Sequence, residues 1–144
     1  MIAKHLLKIT LILIILSSCS SQSRVTKLQL PETDNIESKF YGSWSGMEEN
    51  KQIDGASKHW IQHRFKSGKY ILIYMVIYKG EIFKFSEEGK WWIKDGFFFE
   101  LNSTSEKPDK YEFKVIDDYN IWFKGIDMQK SDLNGKYEFV DKKL

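Results

Sequence analysis

Few side chains in this sequence can do chemistry at neutral pH, and their spacing limits what that chemistry is. Cys19 is the only cysteine, so no internal disulfide forms and a thiol nucleophile has one place to be. His59 and His63 lie four residues apart. On a helix that spacing would turn two imidazoles to one metal ion, whereas on a strand they share a face about 13 Å apart. Lys58 to Lys66 carries Ile61 and Phe65 on the histidine face and reads as strand, and no second cluster of His, Cys and carboxylate completes a shell, so no metal site is expected. The acidic pairs Glu48-Glu49, Glu87-Glu88 and Asp117-Asp118 fall at expected turns or strand ends, where adjacent carboxylates diverge into water. No Gly-x-Ser-x-Gly elbow activates a serine, and the glycines are isolated turn residues that build no phosphate loop. Neither catalysis nor a cofactor is expected, and binding is.

The elements that would position a binding site begin at Phe40. From there, short runs rich in aromatic and β-branched residues fall near 40–48, 58–66, 69–78, 81–87, 90–94, 97–102, 110–116, 119–125 and 135–141. Ser67-Gly68, Lys79-Gly80, Glu88-Gly89, Asp95-Gly96 and Asn134-Gly135 separate them, each placing glycine after a residue that tolerates a tight turn. Alternation is cleanest in Lys110-Tyr111-Glu112-Phe113-Lys114-Val115, so one face of that strand meets water. No stretch of ten or more residues shows a 3.6-residue period. Eight or nine short antiparallel strands favour an all-β, up-and-down meander closed into a small barrel, because closure removes sticky edges; a two-layer sandwich is the alternative. Tyr70 to Tyr78 is apolar at every position, which calls for cover on both faces, from the 49–57 segment or the tether, or else marks an interaction surface.

Composition agrees with one such domain. The chain has 144 residues, among them 10 Phe, 5 Trp and 7 Tyr, which is enough aromatic volume for a core without disulfides. Its formal charge of +2 is too small for a nucleic-acid binder held by bulk electrostatics.

The first eighteen residues differ from the rest. Lys4 and Lys8 form a basic leader, and the aliphatic run ending Leu11 to Leu16 is too short for a bilayer span of about twenty residues. It reads as the apolar region of a secretory signal peptide. Leu16-Ser17-Ser18-Cys19 then resembles the cleavage box of bacterial lipoproteins. The resemblance implies diacylglyceryl transfer to the Cys19 thiol, cleavage before it and acylation of the new amine with fatty acids such as palmitate. Several acyl chains on one residue give lasting membrane attachment. The implied location is the bacterial cell envelope, and with Ser20 after the cysteine the outer membrane is favoured if the source has two membranes. Lys4 and Lys8 are the only charged residues before the cut, so the mature chain carries 20 basic groups against 20 acidic ones. Residues 19–39 are polar and lack a sustained period, which suits a flexible tether reaching up to about 65 Å. Residues 40–144 are the expected barrel domain.

Gly42-x-Trp44, opening this meander, is similar to the start of lipocalin-like barrels. The resemblance gives Gly42 the entry role and makes Trp44 a plug beneath a ligand cavity. An arginine packing on that tryptophan from the last strand has no counterpart, since the late cations are Lys136, Lys142 and Lys143. The resulting expectation is a non-enzymatic, membrane-anchored module for a small apolar or amphipathic ligand, lined by Trp44, Phe83, Phe85, Phe97, Phe99, Tyr111 and Phe113. The alternative is a solid barrel whose exposed tryptophans, Trp60, Trp91, Trp92 and Trp122, contact an envelope protein or a glycan, as an inhibitor would.

Overall fold

A computed structural model describes residues 35–144. The expected signal peptide, Cys19 and the expected tether as far as residue 34 lie outside the described residues. The strands are β1 (Gly42–Glu49), β2 (Ala56–Arg64), β3 (Lys69–Tyr78), β4 (Glu81–Lys94), β5 (Phe97–Asn102), β6 (Asp109–Val115), β7 (Asn120–Asp127) and β8 (Glu138–Lys143). Each pairs antiparallel with the next and β8 returns to β1, so the chain is an all-β, up-and-down closed barrel. Every strand finds both neighbours within residues 42–143, and the described residues belong to one compact unit.

Turn chemistry explains much of this. Lys79-Gly80 and Asp95-Gly96 join their strands with both residues at positive φ, 51° and 80° in the first and 52° and 77° in the second. That geometry continues the right-handed twist of the flanking strands. Glu88-Gly89 is different. The runs 81–87 and 90–94 are one 14-residue strand, because Gly89 is a site of close approach: a Cβ there would lie 2.1 Å from the Leu101 carbonyl oxygen and 2.8 Å from the Tyr70 ring. Asn134-Gly135 does not start a strand either. The Asn134 side chain accepts from the Met128 backbone N–H at 2.7 Å, and the Gly135 N–H donates to the Gly125 carbonyl at 2.7 Å. The loop thereby folds inward, Ser131–Leu133 forms a 3-10 turn, and β8 begins only at Glu138.

The up-and-down order sends alternate connections to opposite ends. One end carries the Ile36–Phe40 3-10 turn and the links after β2, β4 and β6. Its residues 36–39, expected in the tether, are thus part of the fold. Phe40 is fully buried there, stacking on Phe98 at 5.5 Å and meeting Phe113 edge-on at 5.0 Å. Trp44 is equally buried and its Nε1 donates to the Phe40 carbonyl at 2.9 Å. This end is plugged.

The seam is thin. β8 meets β1 in register only at Trp44 with Lys143 and Ser45 with Lys142, and the Leu144 N–H donates to the Ser43 carbonyl at 2.9 Å. Side chains reinforce it from inside. Gly46 on β1 lies opposite Trp60 on β2, and a Cβ at Gly46 would sit 2.2 Å from the indole. The missing side chain lets Trp60 reach across β1 and donate to Asp141 of β8 at 2.8 Å. On the outside, Ile61, Ile71 and Ile73 remain exposed, so the 49–57 segment does not cover the outer face of β3.

Gly46→Ala and Gly89→Ala should each cost about 1–3 kcal/mol through overpacking, read as a lowered urea midpoint. Ser86→Ala, on an exposed face of β4, should change stability by less than about 0.5 kcal/mol.

Candidate functional site

Strand alternation sends every second residue inward, and beyond the plug these residues surround a cavity of about 420 Å³. β2 contributes Lys58, Trp60, Gln62 and Arg64; β3 contributes Tyr70, Leu72 and Tyr74; β4 adds Glu87, β5 Glu100 and Asn102, and β6 Asp109 and Tyr111. Met128, Leu133 and Tyr137 come from the inward-folded loop before β8, and Phe139 from β8 itself. Gln52, Thr104, Ser105, Gln129 and Lys130 belong to the loops opposite the plug and form the rim.

The floor is charged. Arg64 pairs with Asp141 through Nη2, and both are buried, at 2% and 0% exposure. The Arg64 guanidinium carbon lies 5.0 Å from the Phe98 ring, 5.2 Å from Phe123 and 5.8 Å from Trp44. Its Nε and Nη1 have no hydrogen-bond partner. Arg64 and, at 5.4 Å, Lys143 both lie over the Trp44 ring. The cations on that indole therefore come from β2 and, as a lysine, from the last strand.

Glu100 stands nearby, accepting from Gln62 Nε2 at 2.8 Å. Burial pushes its carboxyl up to about 7, against the pull of Arg64, with Asp141 and Asp109 pushing further upward. Nearer the rim, Lys58 donates to Gln52 at 3.2 Å and holds its ammonium 4.4 Å from the Tyr74 ring centroid. Burial lowers its pKa, with Glu87, Glu48 and Glu100 opposing. Tyr74 donates to Glu87 at 3.0 Å and is itself pushed up to about 12, by burial first and then by that carboxylate. Asp109 accepts from the Gln129 backbone N–H at 2.6 Å, which only partly offsets the upward push of burial.

Of the aromatics expected to line the interior, Tyr111 does so. Trp44 and Phe113 belong to the plug. Phe83 and Phe85 are on the inward face of β4, in register with Val76 and Tyr74, but β5 pairs with β4 only from Gly89 onward. They project past the barrel wall and are exposed; Phe85 stacks on Tyr74 at 5.0 Å and lines a side pocket of about 180 Å³. Phe97 and Phe99 face outward, because Phe98 takes the inward position. Lys110 lies 3.8 Å from the Phe97 ring centroid and Trp92 stacks on Phe99 at 5.3 Å. Trp60 and Trp91 are core residues, leaving only Trp92 and Trp122 half-buried on the outer wall. Glu87 sits within a strand and faces the cavity instead of diverging at a turn. His63 Nδ1 lies 2.8 Å from the Ser43 hydroxyl, and among the described residues no group of three His, Cys, Asp or Glu could hold a metal.

Sequence reasoning missed Lys58, Gln62, Arg64 and Glu100. For the first three the signal was the alternation Lys-x-Trp-x-Gln-x-Arg, masked by Ile61 and Phe65 on the opposite face; Glu100 shares its face with Phe98, and the run of three phenylalanines before it hid that phase. No known family model matches the chain, and no curated protein is detectably similar to it.

A carboxyl raised on folding binds its proton more tightly in the native state than in the unfolded one. The stability Glu100 contributes is therefore full below its ordinary value of 4.5 and is lost as pH rises to about 7. Glu100→Gln should flatten that part of the stability profile measured by urea melts. Glu48 and Asp109, shifted the same way, leave a residual slope.

Proposed function

We propose that this chain is a lipid-anchored protein of the bacterial envelope whose barrel binds a small amphipathic ligand without transforming it. The observation that carries the reading is the cavity. Its volume of about 420 Å³ lies in the range that small-molecule sites occupy, and it is plugged at one end and rimmed by loops at the other. Trp60, Leu72, Tyr111, Phe139 and Leu133 supply an apolar wall, while Gln62, Arg64, Glu87 and Glu100 supply a polar one. That mixture favours an amphipathic ligand over a purely apolar one. Binding is favoured over catalysis because the carboxylates are already engaged, Glu87 by Tyr74, Glu100 by Gln62 and Asp109 by the Gln129 backbone. The anchor rests on the Leu16-Ser17-Ser18-Cys19 box.

One observation favours a second reading, an envelope protein contact. Ile61, Ile71 and Ile73, exposed by 53%, 45% and 60%, adjoin one another on the outer face of β2 and β3.

Native mass spectrometry of the full chain purified from envelope extracts should retain a co-purifying small molecule, and Trp60→Ala should release it. Retention unchanged in that variant would place the ligand elsewhere. Separately, Cys19→Ala should abolish metabolic labelling with a clickable palmitate, and persistent labelling would refute lipidation at that residue.

A further inference from the structure

Resting on the cavity reading, we propose that the ligand is a protonated amine, its N–H groups received between Glu100 and Asp109 with the Gln62 side-chain oxygen as a third acceptor. The strand register brings the two carboxylates together. Glu100 on β5 and Asp109 on β6 are direct partners, and both line the cavity. Like charges placed opposite each other on one face of a sheet repel. A third carboxylate, Glu87 of β4, lines the same space. None of the three forms an ion pair among the described residues. The cations of the lining are engaged elsewhere: Arg64 is paired with Asp141, Lys58 donates to Gln52 and feels Glu87 and Glu48 before Glu100, and Lys130 stands on the rim. With the Arg64 pair set aside, three carboxylates face two lysines, so the lining is one positive charge short of neutral.

The polar atoms left open have the matching chemistry. Glu100 receives Gln62 Nε2 on one oxygen and Asp109 receives the Gln129 N–H on one oxygen; the second oxygen of each has no partner among the described residues. Gln62, 3% exposed, directs its amide nitrogen to Glu100, which leaves its carbonyl oxygen open beside that carboxylate. The hydroxyls of Tyr111 and Tyr137, in side chains equally enclosed, also lack a partner among the described residues. Among those residues, the wholly enclosed side-chain atoms without a partner are Arg64 Nε and Nη1 alone, so these oxygens open onto the cavity that their residues line. Acceptors left open in so enclosed a place mark where a donor arrives from outside the fold. An ammonium brings three donors and the missing charge together. A quaternary ammonium lacks the donors, a hydroxyl lacks the charge, and an anion meets the carboxylates. Burial raises both carboxyls, the direction expected where no counter-charge is at hand, and an arriving ammonium favours their charged forms. The carbon body lies against Phe139 and Leu133 and against Trp60 and Tyr111, whose rings also attract a cation.

Three probes with one body separate the head groups: tryptamine, tryptophol and indole-3-propionate end in an ammonium, a hydroxyl and a carboxylate. Each is titrated by calorimetry into the full chain at about pH 8, where Glu100, with its midpoint near 7, is mostly ionised and the amine keeps its proton. Tryptamine should bind at least about tenfold tighter than tryptophol, and indole-3-propionate most weakly. Glu100→Gln and Asp109→Asn keep the shape and the oxygens that Gln62 and the Gln129 backbone use. Each should lower tryptamine affinity about tenfold and leave tryptophol, which reports an intact cavity, unchanged. Ile73→Ser, on the outer face, should alter none of the three. Equal binding of tryptamine and tryptophol, tighter binding of the propionate, or a tryptamine preference that survives both carboxylate substitutions would overturn the amine assignment and leave the cavity reading standing. Failure of all three probes to bind would overturn both.

Discussion

The barrel depends on a pair of opposite charges sealed from water across its narrowest seam. Only two residue pairs hold β8 to β1 in register, a short ladder for the strand that must close the structure. Asp141, fully buried on β8, receives Trp60 and Arg64 from β2, so the closing strand is tied to the second strand over the top of the first. A buried pair of this kind is a weak source of net stability, but removing one partner leaves the other charge uncompensated inside and is strongly destabilising. Gly46 is the accommodation that makes the crossing possible.

The same pair sets the chemistry of the interior. Arg64 lies between the aromatic plug and the cavity, with Phe98 and Phe123 against its charge and two nitrogens left without acceptors. Its field, the Asp141 charge and burial jointly bring Glu100 to a titration point near neutrality. A barrel built only to exclude water would have filled this space with the phenylalanines the chain has in abundance. Several of those instead pack on the outer wall, Phe97 under Lys110 and Phe99 against Trp92. The polar floor is thus a feature of the inward-facing positions of β2 and β5, held in place by the seam that closes the fold.

Much of the architecture was legible in the sequence, and the exceptions have physical causes. Glycines with positive φ at Gly80 and Gly96 mark the hairpins they were expected to mark. Gly89 looks the same in sequence yet serves a close backbone approach, since a glycine needed for space and one needed for conformation share a code. Alternation read the phase of 110–115 correctly because charges mark its wet face. In Phe97-Phe98-Phe99 no polar residue marks either face, so the expectation turned Phe97 and Phe99 inward where Phe98 is the inward member. On β2 the rule pointed the wrong way: Ile61 and Phe65 face solvent while Gln62 and Arg64 face in. The cavity's polar residues were invisible for that reason, as their partners come from β5 and β8, far away in sequence.

The account's central claim is that closing the barrel buries Glu100 among opposed charges inside the cavity, where its carboxyl titrates near neutrality. NMR titration of the Glu100 side-chain carboxyl carbon tests it most directly. The account predicts a midpoint near 7. A midpoint at the ordinary glutamate value of 4.5 would contradict it.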